Sequence, residues 1–282
     1  MLLKYASLSA FLILVGSLHL PSEAMAQDRP MVSQCQLVAE RLPDARFAAY
    51  RPAVDGPLIS ANAAVRDEVV ITYMGHSTFQ IDTPEGLSIA TDYNGSLRSA
   101  RFPDVATMNK AHSGHYTLAP DPSISTVLHG WNDAQPGEKA EHRVVVGDAY
   151  IRNVPTDIRS FGGFEPNGNS IFIFEVAGLC IGHLGHLHHE LTDSHYAEIG
   201  RLDVLMVPVD GGLTMGAQSM SSIVERLRSA LILPMHRRGP PIDTFISMFD
   251  GKVDSAYSEQ RSVTVSMRTL PKKPLILVLR GV

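Results

Sequence analysis

The chain has 282 residues, enough for one large domain or two small ones. With 44% hydrophobic and 19% charged residues it has the composition of an ordinary globular protein, which excludes a low-complexity or disordered chain. The formal charge is −5 and no basic run follows the first residues, so nucleic acid is not an expected partner.

The chain opens on Lys4 and an apolar run from Ala10 to Leu20, too short to span a bilayer comfortably. Pro21-Ser22-Glu23 breaks the run, and Ala24-Met25-Ala26 offers small residues before a cleavage point. That layout predicts a secretory signal over 1–26, with an uncleaved anchor as the alternative. The mature protein is then expected in the periplasm or outside the cell, free of the membrane. Residues 27–65 read as an N-terminal arm, with one short helix over Gln34–Arg41, and 66–282 as the main domain. The only cysteines are Cys35 and Cys180. An oxidising compartment would permit a bridge, but Cys180 sits in an apolar strand-like run, so two separate thiols are expected.

From Glu68 the pattern sharpens. Strands are predicted over Val69–Tyr73, Ser77–Ile81 and Leu87–Thr91, with a turn at Pro84-Glu85-Gly86. A second β block follows: Arg143–Val146 with Ala149–Val154, then Ser170–Val176 with Leu179–His183. Helices are predicted over Thr192–Ile199 and Met220–Ala230, where Ile223, Val224 and Leu227 share a face. Val204–Val209, Leu231–Pro234 and Pro274–Leu279 read as buried strands. Two β-rich halves with helices between the later strands imply stacked sheets covered by helices.

Histidine features stand at the predicted strand ends, where scaffolds place reactive groups. They are Gly75-His76-Ser77, His112-Ser113-Gly114-His115, the run His183-Leu184-Gly185-His186-Leu187-His188-His189, and Pro234-Met235-His236. Neutral imidazole is a common metal ligand, and a zinc site needs three or four such donors. His188 and His189 either begin a helical region or line the cleft. His129, His142 and His195 read as surface or loop residues, and Trp131 either walls a pocket or caps the core.

The segment Ile71 to Ile81 followed by Ile89-Ala90-Thr91-Asp92 resembles the opening of the metallo-β-lactamase superfamily, and most closely its ascorbate-lactonase-like and phospholipase-D-like zinc hydrolases. The resemblance continues through the histidine features and Val204–Asp210 to just past His236. It implies a four-layer αββα sandwich of class α/β, a metal, and hydrolysis of a small-molecule substrate. Departures accompany it. The family's His-x-His-x-Asp-His motif stands here as His112-x-x-His115 without the Asp-His pair. Its bridging aspartate is replaced by His186 in Gly185-His186, and Thr156-Asp157 stands where a further ligand histidine is expected.

The resemblance therefore implies one ion rather than two, zinc first and other divalent metals next. Its candidate ligands are His112, His115, His183, His186 and His236, with Asp157 in support. Asp92 is expected behind the site as acceptor for an imidazole N–H. Asp210 and His76 are assigned catalytic roles, Asp210 as base or ligand and His76 as an orienting group. The implied function is metal-dependent hydrolysis of an ester, lactone, amide or phosphodiester. The alternatives are a non-catalytic metal- or ligand-binding member and a metal-free structural protein. β-Lactamase activity itself is not expected.

Overall fold

The computed structural model describes residues 33–37, 67–160 and 163–282. The expected signal over 1–26 and most of the expected arm over 27–65 lie outside the described residues.

One sheet holds six strands: β1 (Val69–Gly75), β2 (Thr78–Asp82), β3 (Ser88–Ala90), β4 (Val105–Met108), β5 (Thr126–His129) and β13 (Ser262–Val265). Their order is β13-β1-β2-β3-β4-β5. The other holds eight: β6 (Arg143–Val146), β7 (Ala149–Ser160), β8 (Gly163–Val176), β9 (Leu179–His183), β10 (Val204–Pro208), β11 (Leu231–Met235), β12 (Asp254–Tyr257) and β14 (Leu275–Val278). Their order is β12-β14-β11-β10-β9-β8-β7-β6.

β1 alternates, burying Val69, Ile71 and Tyr73 and leaving Val70 and Thr72 half-buried, as a strand with one core face must. β9, β10 and β11 are buried along their whole length and pair in parallel, which explains their unbroken apolar sequence. The parallel crossovers run through helices α2 (Asp193–Ile199) and α3 (Ala217–Leu227). The two sheets meet over Ile71, Phe79, Ile89, Phe172, Phe174, Ile181 and Met206. The opposite face of the eight-stranded sheet packs on α2, α3 and α4 (Ile242–Ile246) through Ile199, Met220, Ile223, Val224 and Phe245. The architecture is that of the αββα sandwich, with the outer face of the six-stranded sheet covered, among the described residues, by the loop residues Tyr93, Phe102, Ile124 and Trp131 rather than by helices.

Local chemistry sets the helix limits. Thr192 caps α2, its hydroxyl accepting from the His195 N–H while His195 Nδ1 accepts from the Thr192 N–H. His195, read as a surface residue, therefore ends as half of a capping box. α3 lies three residues earlier than its apolar spacing suggests. Arg228 takes a left-handed φ of 54° and closes the helix through its N–H on Val224 O.

The two cysteines are joined, contrary to the expectation of separate thiols. Along β9, Leu179 and Ile181 face the other sheet, whereas Cys180 faces the helix layer, where helix α1 (Gln34–Leu37) docks. The segment is also held by Glu175, which accepts from Ser33 Oγ and from the backbone N–H groups of Gln34 and Cys35. Glu175 in turn pairs with the buried Arg152 at 2.8 Å.

Candidate metal centre

Five loops leave the C-terminal ends of strands on one rim of the sandwich and carry the histidines inward. His76 follows β1, His112 and His115 follow β4, His186 follows β9, Asp210 follows β10 and His236 follows β11. One ligand atom each from His76, His112, His115 and His236 lies within 4.8 Å of the others, and the same holds for His186, Asp210 and His236. The imidazoles are packed ring on ring. Centroids are 4.1 Å apart for His76 and His236, 4.5 Å for His112 and His115, and 4.7 Å for His115 and His186.

His115 is the best defined. Its Nδ1 faces Asp92 Oδ2 at 2.5 Å, with the Ser77 hydroxyl at 3.0 Å. A carboxylate acceptor fixes the proton on Nδ1 and leaves the lone pair on Nε2, which is buried and without a hydrogen-bond partner. Asp92 is fully buried, and burial alone would raise its pKa. His115, His183 and the hydrogen bonds from His115 and Asn109 outweigh burial and hold it below the usual carboxylate range. Asn109 is itself fixed, giving Nδ2–H to Asp92 Oδ1 at 2.8 Å and accepting the Ser170 N–H at 2.7 Å.

Asp210 accepts from the N–H groups of Gly212 and Thr214 at 2.9 and 3.0 Å. Burial opposes its ionisation, but the His236 contact and those N–H groups hold its pKa below the usual range. His236 Nδ1 lies 2.8 Å from Asp210 Oδ2, yet off the line of a hydrogen bond. So pinned, Asp210 is a weak base; its geometry suits an anionic donor or anchor for His236.

His186 hangs on a chain of imidazoles. The Arg159 N–H donates to His188 Nδ1 at 2.7 Å, so His188 carries its proton on Nε2. That nitrogen is 2.8 Å from His186 Nδ1 and 3.1 Å from Leu213 O. A contact of 2.8 Å between ring nitrogens holds one proton, which here comes from His188. The chain as it stands therefore places the neutral His186 proton on Nε2, and ligation through that atom requires the proton to leave.

Two sequence candidates fall outside both groups. His183 uses both ring nitrogens: Nε2–H donates to Ser77 O at 2.8 Å, and Nδ1 accepts the Gly185 N–H at 3.1 Å. It is a structural tie between the sheets, and its side chain has no lone pair to spare. Asp157 sits at a bulge in β7, half-buried, with Oδ1 accepting the Asn167 N–H at 2.9 Å. β7 continues to Ser160, so this carboxylate turns toward the β7–β8 hairpin. His76, expected beside the site, stands within the first group.

His76, His112, His186 and His188 are held neutral. Burial first, and then the neighbouring histidines, push His76 down to about 3 and His186 to about 2. Burial and then His115 and His236 push His112 to about 4, and burial and then Arg159 push His188 to about 4. The donor set fits a divalent cation on a direct observation. His76 Nε2 and His115 Nε2 are buried polar atoms with no hydrogen-bond partner; so are His186 Nε2, which carries the proton of that chain, and His236 Nδ1, which stands against Asp210. Groups of that kind are rare in folded proteins and call for an explanation. Gly114 makes the approach possible. A Cβ there would lie 2.7 Å from His76 Nε2 and 2.8 Å from His112 Cε1. Asn109, Ser77 and the His188 relay gave no sequence signal, since each is a single polar residue whose partners lie on distant strands.

Residues 70–236 match the family described as a beta-lactamase superfamily domain. A metal-dependent hydrolase of Pyrococcus furiosus is 26% identical over 196 residues, 62% of this chain and 87% of that protein. A second, from Salinibacter ruber, is 25% identical over 218 residues, 68% of this chain and 95% of that protein. Among solved structures, a Thermotoga maritima protein described as a candidate Zn-dependent hydrolase of the metallo-beta-lactamase superfamily aligns with a TM-score of 0.55 and 26% identity, covering 75% of this chain and 98% of that one. The family match spans more than half of the chain, and with the sandwich and its rim of histidines it makes this chain a member of the metallo-β-lactamase-fold superfamily.

Proposed function

We propose that the protein is a hydrolase that uses one divalent cation, zinc first, to cleave an ester, lactone or phosphodiester. The observation that carries this reading is the set of buried, unpartnered imidazole nitrogens converging at the strand ends. His76, His112, His115 and His236 would hold the cation, with His186 and Asp210 beside it. When bound, such an ion supplies Lewis acidity toward a water molecule and toward the oxygen of the scissile group. Asp92 orients His115, Asp210 anchors His236, and His188 fixes the tilt of His186. Neutral nitrogen donors suit zinc and also iron, nickel and copper.

A second reading, a non-catalytic metal-binding protein, draws on one observation. Neither carboxylate at the centre, Asp92 or Asp210, has a pKa raised toward that of a general base. Metal content together with turnover separates the two. The hydrolase reading expects about one metal per chain and chelator-sensitive cleavage of generic ester or phosphodiester substrates. Stoichiometric metal without turnover favours the binding protein, and absence of metal refutes both.

Export of the mature chain is part of the proposal. The N-terminal signal pattern and the Cys35–Cys180 bridge both support an oxidising compartment. Among the described residues no helix is long and apolar enough to cross a membrane.

A further inference from the structure

The mouth of the histidine cluster is a small cavity of about 100 Å³ lined by His76, His112, Leu213, His236, Arg237 and Arg238. The two arginines follow His236 directly and are exposed. Four arginines elsewhere in the domain are ion-paired: Arg101 with Asp104, Arg152 with Glu175, Arg201 with Asp203 and Arg226 with Asp193. Among the described residues neither Arg237 nor Arg238 has a hydrogen-bond or ion-pair partner. The nearby carboxylates are already taken. Asp92 is committed to His115 and Asn109, and Asp210 to two backbone N–H groups and His236. In a chain of net charge −5, the entrance thus bears two uncompensated positive charges.

The segment that presents them is constrained. His236 has a left-handed φ of 52° and its N–H bonds His76 O at 2.6 Å. Gly239 has φ 84°, and Pro240 and Pro241 follow. A guanidinium offers a planar fork of donors matched to carboxylate and phosphate oxygens. Leu213, 51% exposed, forms an apolar edge of the same mouth.

We infer that the substrate is an anion, and that Arg237 and Arg238 clamp its phosphate or carboxylate oxygens at the cluster mouth while an apolar substituent lies on Leu213. This inference rests on the hydrolase reading for the word substrate, but the anion site can be tested apart from it. The full mature chain, Arg237→Gln/Arg238→Gln and the exposed-strand control Arg143→Gln would be titrated calorimetrically with inorganic phosphate and with benzoate.

Loss of two charge-assisted contacts should weaken phosphate binding about tenfold or more in the double variant and leave the control unchanged. Arg237→Lys/Arg238→Lys should recover part of the loss, since it keeps charge without the fork. A stronger effect on phosphate than on benzoate assigns a phosphoryl group, and the reverse a carboxylate. In turnover assays kcat/KM for bis(p-nitrophenyl) phosphate should fall in the double variant, while that for the neutral p-nitrophenyl acetate stays within about threefold. Unchanged binding of both anions, or an equal loss on both substrates, overturns the inference. If no substrate shows chelator-sensitive turnover, the hydrolase reading fails, while the calorimetry still decides whether the arginines bind anions.

Discussion

Replacing Asp92 by asparagine probes the centre with almost no change of volume. The carboxylate accepts from His115 Nδ1 and Asn109 Nδ2 at 2.5 and 2.8 Å and is fully buried. Asn109 cannot turn over to help, because its oxygen is engaged by the Ser170 N–H. An amide at position 92 therefore satisfies one neighbour and faces the other donor to donor. One such unpaired buried donor costs about 1–3 kcal/mol. In a domain of this size that lowers the melting temperature by roughly 2–4 °C for each kcal/mol. The larger effect is on His115. Without a carboxylate its ring is less firmly oriented, and changes of this kind reduce metal affinity about 10–100-fold, or about 1.4–2.8 kcal/mol. Competition between the protein and a chromophoric zinc chelator at pH 7.5 measures the difference. A folded Asp92→Asn variant that binds zinc within about twofold of the parent would refute the assignment of His115 as a ligand oriented by Asp92.

Acid should loosen the domain in a definite window. His76, His112, His186 and His188 have native pKa values of about 3, 4, 2 and 4, all below the ordinary 6.5. The unfolded chain then binds more protons, so stability falls as pH drops below about 6.5 toward those values, and is insensitive to these groups above about 7. With the exposed His112 and the half-buried His76 left out, the buried His186 and His188 should together cost about 3 kcal/mol by pH 5.5, and a chelator-treated sample melting identically at pH 7.5 and 5.5 contradicts this. The disulfide closes a separation of 145 residues. Replacing both cysteines by serine should destabilise the domain by about 3–5 kcal/mol in urea titrations, and a shift below about 1 kcal/mol would show that Glu175 alone holds the arm.

The sandwich was legible because its central strands are buried on both faces and read as apolar runs, as in Val204–Pro208 and Leu231–Met235. β4 and β5 were missed because four-residue strands leave too little pattern, and β12 because it is largely exposed. The second half of β7 and the first half of β8 were missed for a related reason. Beyond Val154 the hairpin is polar, with Glu165, Asn167 and Asn169 in β8. At the centre, position after a strand showed which histidines could approach one another. It could not show which nitrogens are already used. His183 and His186 lie three residues apart in one run, and only the partners Ser77 O and Gly185 N–H separate a tie from a candidate donor. Cys180 was misread for want of a face. Its neighbours in sequence point into the inter-sheet core, while Cys180 points out of it.

The distribution of backbone strain supports the same centre by an independent route. Among the described residues seven non-glycine positions have positive φ, and three of them are His76, Asp92 and His236. Each left-handed residue of this kind costs about 1–2 kcal/mol unless its surroundings enforce it. Here the enforcement is visible: the Tyr73 hydroxyl and the His236 N–H both bond His76 O, and Thr78 Oγ1 bonds Asp92 O. A turn serving only to reverse the chain would accept glycine or asparagine at lower cost. These three turns instead carry two rings of the cluster, His76 and His236, and the carboxylate that orients a third, His115. Strain and unpaired nitrogens coincide at one rim of an otherwise regular sandwich, which is what a fold shaped around a bound ion requires and what a merely histidine-rich surface does not explain.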